Sequence, residues 1–229
     1  SFDNMFNLKN ITFTNYYGSI FNLTVPGGDI LDGINISNCI FEKVEHSSKS
    51  RLLIGRYDVS PEGIITNINI SNCDFMGIIA PGVNYIYIYE GIISNVIITN
   101  NNFFNVHSIS DTRGAIAVNI GTNSNLLTTK NILISGNLFD TIIADTIGEI
   151  ETHAILAYGE NIQIINNTVR YMVPGVDHEA IYMKGSYSVI ANNVMINCTS
   201  KQGAIAIKGS GKSFSDTIRD NRIQSNQAG

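Results

Sequence analysis

The chain has 229 residues, enough for one large domain, and only 14% of them are charged. A formal net charge of −5 excludes a strong electrostatic attraction to nucleic acid or to an anionic membrane surface. This charge leads us to expect no nucleic-acid partner. No apolar run approaches the roughly 20 residues of a membrane span, so we also expect no membrane insertion.

A repeated unit begins near the N-terminus and recurs to the end of the chain. Each copy has alternating apolar residues, a two-residue polar step and a second short apolar segment. The clear copies span 33–44, 67–78, 95–106, 131–142, 161–172, 187–198 and 216–226, and 9–20 is a weaker first member. A period of roughly 30 residues without a helical pattern is typical of a β-solenoid. We therefore predict an all-β, right-handed parallel β-helix of about eight coils.

The opening stretch SFDNMFNLKN starts inside this pattern. We therefore expect 1–229 to be a single β-helix domain and a fragment of a longer chain.

Two residue columns appear when the units are aligned. The first column contains Cys39, Cys73, Asn101, Asn137, Asn167, Asn193 and Asn221. The second column, two residues later, contains Phe41, Phe75, Phe103, Phe139, Val169, Met195 and Ile223. An inward Asn at a bend can bond the amides above and below it, so we predict an internal asparagine ladder beside a stacked core. We predict that the cysteines are small, buried apolar residues, and a Cys39–Cys73 disulfide is the alternative.

The stacked N-x-x-I-x-x-N-x-F units resemble right-handed parallel β-helices of the pectate-lyase-like superfamily. The resemblance covers nearly the whole chain. It implies the fold much more strongly than any particular activity.

A third set of short strands lies between the units, at 50–58, 84–91, 113–121, 152–159, 178–185 and 202–209. Strand alternation divides their residues between two faces. The predicted inward residues are Ile116, Val118, Ile155, Ala157, Ile181, Met183, Ile205 and Ile207. The predicted outward residues are Tyr85, Tyr87, Tyr89, Ala115, Ala117, Asn119, Ala154, Leu156, Tyr158, Ala180, Tyr182, Lys184, Ala204, Ala206 and Lys208. Such a flat face with tyrosines and small residues suits an extended polysaccharide; packing against a subunit or a loop is the alternative.

Charged residues and histidines gather around the stretch DHEAIYMKG at 177–185. Asp177, His178 and Glu179 precede its strand, and Lys184 ends it. His153 is one coil earlier in the column of Glu179, Lys208 is one coil beyond Lys184, and Arg113 is near the corresponding turn of its own coil. Because stacked lysines repel each other, acids or an anionic ligand should neutralise them.

This stretch resembles the active-site coil of chondroitinase B and alginate lyases, which has an acid, a second acid two residues later and a lysine five residues after that. The resemblance implies that Asp177 and Glu179 bind calcium and that Lys184 removes the C5 proton of a uronate. Lys208 stands where the family has an arginine, and it cannot make a bidentate contact with a carboxylate. The third calcium ligand has no clear counterpart, since the nearest residue, His153, is a poor calcium ligand.

These patterns predict a polysaccharide-binding protein that cleaves its ligand, with a lyase favoured over a glycoside hydrolase. The candidate catalytic residues are Lys184, Lys208, His153 and His178. The candidate substrate-binding residues are Tyr158, Tyr182, Arg113 and Tyr87, and the candidate metal ligands are Asp177 and Glu179.

Two other readings remain open. The chain is also similar to the β-helical shafts of phage tailspikes and appendages, which implies an extracellular or virion-surface location and the option of a homotrimer. In that setting the chain could be a non-catalytic glycan- or receptor-binding shaft. The other alternative is a secreted bacterial calcium-dependent polysaccharide lyase.

Overall fold

The computed structural model of the protein describes residues 6–14, 21–25, 28–45, 50–56, 63–80, 83–109, 114–124, 126–145, 152–173, 179–199, 204–209 and 215–224. In these residues the chain is a parallel β-solenoid, as predicted, and its strands form three columns. The first column contains β1 (Phe6–Lys9), β4 (Ile30–Ser37), β7 (Ile64–Ser71), β10 (Ile92–Thr99), β13 (Thr129–Ser135), the second half of β15 (His153–Ile165), β18 (Val189–Ala191) and β21 (Thr217–Arg219).

The second column is an eight-stranded sheet. It contains β2 (Thr12–Thr14), β5 (Ile40–Glu45), β8 (Asp74–Ala80), β11 (Asn102–Ser108), β14 (Leu138–Ala144), β16 (Thr168–Val173), β19 (Val194–Cys198) and β22 (Arg222–Gln224). The third column contains β3 (Phe21–Val25), β6 (Ser50–Arg56), β9 (Val83–Tyr89), β12 (Ala115–Ile120), the first half of β15, β17 (Ile181–Ser186) and β20 (Ile205–Gly209). The part of the chain that the structure describes holds no helix with the length and apolar character of a membrane span.

Asparagine is abundant because the solenoid needs a left-handed backbone at each corner between the first and second columns. Six asparagines have φ between 53° and 58° at this corner: Asn10, Asn38, Asn72, Asn100, Asn166 and Asn192. Asparagine tolerates this conformation better than most residues with a Cβ atom. At the equivalent corner of another coil stands Gly136, with φ of 68°. The repeated polar step of the sequence is therefore the corner itself.

The internal asparagine ladder is confirmed. Asn137 Oδ1 accepts hydrogen bonds from Asn101 N–H and Asn101 Nδ2 at 2.9 and 3.1 Å, and Asn137 Nδ2 donates to Asn167 Oδ1 at 2.9 Å. The same pattern continues through Asn193 to Asn221. Each amide thus satisfies a buried backbone group of a neighbouring coil, which would otherwise cost free energy.

The aromatic core stack is also confirmed. The rings of Phe41, Phe75, Phe103 and Phe139 are nearly parallel, with centroids 4.7–4.8 Å apart. This separation equals the usual spacing of neighbouring strands, so each coil adds one ring to the stack. Val169 and Met195 continue the buried column, whereas Ile223, predicted to be inside, is 54% exposed on β22. Ile223 lies on the last described strand of its column, so no described coil packs over it.

The cysteines are free thiols, and the alternative of a Cys39–Cys73 disulfide is not what the structure shows. Cys39 and Cys73 take the ladder position in their coils, and their thiols point at the carbonyls of Ser37 and Ser71, both at 3.3 Å. Burial raises the pKa of Cys73 to about 12 and that of Cys198 to about 11.

We expect the thiols of Cys73 and Cys198 to be protonated and unreactive in the folded protein at neutral pH, because alkylation requires the thiolate. Cys39 is fully buried, so the reagent should not reach it either. Treatment with iodoacetamide, followed by mass spectrometry, should leave all three cysteines unmodified in buffer and modify all three in denaturant. Rapid alkylation of Cys73 or Cys198 in buffer would contradict their burial.

The prediction for the outward side of the third column is wrong for one row of residues. Tyr85, Ala117, Ala154 and Ala180 are buried in the core, as are Ala115 and, at its margin, Ala204. The Tyr85 hydroxyl donates to the carbonyl of Phe104 at 2.8 Å. Its ring packs against two core phenylalanines. The inward prediction is confirmed for Val118, Ile155, Ala157, Ile181 and Met183.

The cause is an irregularity in the strands. Ile116 pairs with His153 and Val118 with Ile155, whereas Ala117 has no partner in the register. Both Ala154 N–H and Ile155 N–H donate to the carbonyl of Ala180, at 2.9 and 3.2 Å. Two successive residues therefore face the core, as at a β-bulge, and strict alternation fails at this point.

Five strands of the second column each have a residue with a left-handed backbone near the middle of the strand. In register, these residues are Gly77, Asn105, Thr141, Tyr171 and Asn197, with φ between 53° and 63°. Thr141 is β-branched, so its left-handed backbone is strained.

Replacing Thr141 with asparagine should raise the free energy of unfolding by about 1 kcal/mol, because it relieves this strain. The reciprocal substitution, Asn105→Thr, should lower it by about the same amount. Denaturant unfolding of the two variants checks both signs, and a stabilised Asn105→Thr would contradict the explanation.

Candidate functional site

The third column presents two rows of residues on its outer side. The row nearer the strand centre contains, in register, Tyr87, Asn119, Leu156, Tyr182 and Ala206. The row at the strand ends contains Tyr158, Lys184 and Lys208, again in register. The predicted stacking of Lys184 over Lys208 is thus confirmed for the backbone. The side chain of Lys208 lies outside the described part of the structure.

Five predicted site residues come together on β15 and on the stretch that leads into and forms β17. Lys184 is the register partner of Tyr158, and the ring centroids of Tyr158 and Tyr182 are 6.1 Å apart. Tyr182 also packs against His153, with centroids 5.5 Å apart. His153 Nδ1 is 2.7 Å from the carbonyl oxygen of Glu179. We call Lys184, Tyr158, Tyr182, His153 and Glu179 the tyrosine–lysine cluster.

The cluster has a buried end and an accessible end. His153 is 2% exposed and Glu179 is 3% exposed, whereas Tyr158, Tyr182 and Lys184 are partly exposed. A backbone carbonyl can only accept a hydrogen bond, so His153 Nδ1 carries the hydrogen in its contact with Glu179. A ligand on the outer side would therefore meet the two tyrosines and the lysine first.

Lys184 has an amide rather than an acid as its partner. Its Nζ donates to Asn123 Oδ1, which follows β12. Within the described ranges the ion pairs are His107–Asp145, Arg170–Asp140 and Arg219–Asp220, all outside this cluster. The expected acid that would neutralise Lys184 is therefore not found among the described residues.

Tyr87, another predicted substrate-binding residue, lies apart from the cluster on β9. Its ring stacks on that of Tyr89, with centroids 4.5 Å apart and planes 16° apart. Tyr89 covers Gly55, where an added Cβ atom would lie 2.3 Å from the tyrosine ring. Burial, with a smaller contribution from Glu90, raises the pKa of the Tyr89 phenol above its ordinary value. This pair forms a second aromatic platform on the same face, with β12 between it and the cluster.

Asp177, His178 and Arg113 lie outside the described residues, so the roles proposed for them stay predictions. Within the described ranges, no group of three or more His, Cys, Asp or Glu side chains is placed to hold a metal ion.

Asn123 was not predicted from the sequence. The exposure of Leu156 and of Asn119 Oδ1, in the row nearer the strand centre, was predicted wrongly. Asn123 lies in the insertion that makes the Asn101–Asn137 separation 36 residues, so the unusual spacing was an available signal. Leu156 was expected to be exposed but is 2% exposed. Asn119 Oδ1 is buried and has no hydrogen-bond partner. No sequence signal indicated either of these last two features.

The fold and this cluster define the chain as a parallel β-solenoid with an aromatic and cationic outer face. Comparisons with models of protein families, with curated proteins and with solved structures found no match for this chain.

Proposed function

We propose that this chain binds and cleaves an extended acidic polysaccharide on the outer face of the third column. The observation that carries the proposal is the accessible end of the tyrosine–lysine cluster. Tyrosine rings offer flat apolar faces and a hydroxyl group to sugar rings. Lys184, which has no acidic partner among the described residues, offers a positive charge to a uronate carboxylate.

The cleavage we propose is a β-elimination, based on the local resemblance of 177–185 to chondroitinase B and alginate lyases within the pectate-lyase-like superfamily. In this reaction the fraction of Lys184 that has lost its ammonium proton removes the proton at C5 of the bound uronate, and the glycosidic bond at C4 breaks to leave an unsaturated uronate. Tyr158 and Tyr182 orient the sugar beside the amine. Lys208, His153 and His178 are candidates for protonating the leaving oxygen.

Calcium remains part of this proposal, with Asp177 and Glu179 as its candidate ligands. When bound, it would neutralise the uronate carboxylate and make the C5 proton more acidic. Calcium takes 6–8 oxygen ligands, so Glu179 can supply only a small part of such a site.

A non-catalytic glycan-binding face is the second candidate function. The burial of His153 and Glu179 favours it, because a substrate on the tyrosines would not reach these groups without rearrangement. In this form the chain would be a binding shaft of a phage tailspike or appendage, outside the cell or on the virion surface, where three copies can pack together.

A glycan screen tests both functions. Uronate-containing and bacterial capsular polysaccharides are incubated with the protein, with calcium or with a chelator. Ultraviolet absorbance then reports an unsaturated product, and a colorimetric assay reports new reducing ends. Calcium-dependent absorbance supports the lyase, reducing ends without absorbance indicate a hydrolase, and binding without product supports the shaft. Absence of both binding and product across the panel would refute the polysaccharide proposal.

A further inference from the structure

The segment between β12 and β13, of which the structure describes residues 121–124 and 126–128, reaches the tyrosine–lysine cluster at Asn123. Asn123 in this segment accepts the hydrogen bond from Lys184, which is 61 residues later in the sequence. Strand β12 pairs with β15, and β15 pairs with β17. The contact therefore joins two coils that are not neighbours, and it passes beside the intervening coil, which carries Tyr158.

The two ends of this segment are fixed to the solenoid. Gly121 has φ of 72°, and an added Cβ atom there would lie 2.7 Å from the carbonyl oxygen of Tyr158. At the other end, Ile93 N–H donates to the carbonyl of Thr128 at 3.0 Å. Inside the segment, the hydroxyls of Thr122 and Ser124 are 2.8 Å apart and share a hydrogen bond. Glycine at 121 thus lets the chain leave close to Tyr158, and Asn123 is held in reach of Lys184.

The chemistry of Asn123 suits a neighbour of an anion-binding lysine. Its amide oxygen accepts one ammonium hydrogen but adds no negative charge, so the positive charge of Lys184 is kept. Its Nδ2 makes no hydrogen bond to another described residue, and the side chain is exposed. The remaining ammonium hydrogens and this amide group are all donors, and a carboxylate accepts from several donors at once.

We propose that Asn123 is a specificity-determining residue of the site, which positions Lys184 and helps bind the carboxylate of an acidic sugar. The inference rests on the proposed function, since it assigns the ligand group of that same face. If this inference holds, an acidic side chain at position 123 removes the attraction of the site for carboxylates. The introduced carboxylate would form an ion pair with Lys184 and neutralise its charge.

The test compares Asn123→Asp, which changes one atom of the side chain, with Asn123→Ala and with the control Ser124→Asp. The control adds the same charge to the same segment at Ser124, whose hydroxyl is bonded to Thr122 and not to Lys184. The probe is an oligogalacturonate, or the acidic oligosaccharide that the glycan screen selects. We expect Asn123→Asp to weaken its binding by about tenfold or more, Asn123→Ala by a smaller factor, and Ser124→Asp by about twofold or less.

A second measurement does not depend on any glycan. Lysines are reductively methylated with ¹³C-formaldehyde, and the Lys184 signal is assigned with Lys184→Arg. This signal should shift in both Asn123 variants and stay unchanged in Ser124→Asp, while all variants melt at the temperature of the parent protein.

The outcomes separate the inference from the function on which it rests. If the parent protein binds no acidic glycan, the proposed function and this ligand assignment both fail, and the methyl signal still shows whether Asn123 positions Lys184. If the parent binds and Asn123→Asp binds equally well, the inference is overturned and the proposed function stands. An unchanged Lys184 signal in both Asn123 variants also overturns it.

Discussion

Replacing Asn167 with alanine should lower the free energy of unfolding by at least about 3 kcal/mol, because several buried polar groups lose their partners at once. Asn167 Oδ1 accepts from the backbone N–H of Asn137, and Asn167 Nδ2 donates to the carbonyl of Ile134 and to Asn193 Oδ1. All of these groups are buried, so water cannot replace the lost bonds. Denaturant unfolding followed by circular dichroism measures the change.

The matched control is Asn161→Gly. Asn161 belongs to a second asparagine ladder, in which its Nδ2 donates to Asn131 Oδ1, but this ladder is exposed. Its φ is 52°, a conformation that glycine adopts freely. We expect this variant to lose less than about 1 kcal/mol, since water replaces an exposed hydrogen bond. Equal losses at Asn167 and Asn161 would show that burial is not what makes the internal ladder important.

Replacing Lys184 with alanine should abolish cleavage of the acidic polysaccharide while leaving binding weakened but measurable. Loss of a general base lowers a rate by about 10²–10⁴-fold, whereas Tyr158 and Tyr182 still contact the sugar. The measurement is the rate of unsaturated product formation, together with a direct binding titration of the same polysaccharide.

The control for this substitution is Lys9→Ala, which removes an exposed lysine from β1, the first strand of the first column. Its cleavage rate and affinity should match those of the parent protein. Full activity of Lys184→Ala would rule out Lys184 as the base. Unchanged affinity of that variant would in addition separate the binding site from the tyrosine–lysine cluster.

The ladder and the phenylalanine stack could be predicted from the sequence because each coil repeats the same local requirement. A corner that needs a left-handed residue is followed by one inward amide, and two residues later by one core side chain. Asn137 and Phe139 therefore occupy the same places in their coil as Asn101 and Phe103 do in theirs. Stacking in register turns a sequence alignment directly into a set of contacts.

The outer face was harder to predict, for two physical reasons. Alternation assumes a regular strand, and the irregularity at Ala117 and Ala154 turns a whole row inward, Tyr85 included. The contact between Asn123 and Lys184 depends on one side chain in the connection between β12 and β13, which lies outside the repeated unit, so the alignment of the units could not indicate it. The stacking of Lys184 over Lys208 was predictable because it depends on register alone.

The central claim is that the outer face of the third column holds an acidic glycan at the tyrosine–lysine cluster. A crystal structure of the protein, soaked with the acidic oligosaccharide that binds best in the screen, tests it most directly. The account predicts a sugar ring against Tyr158 and Tyr182, with its carboxylate at Lys184. A sugar bound on the outer side of the first or second column, with this cluster empty, would contradict it.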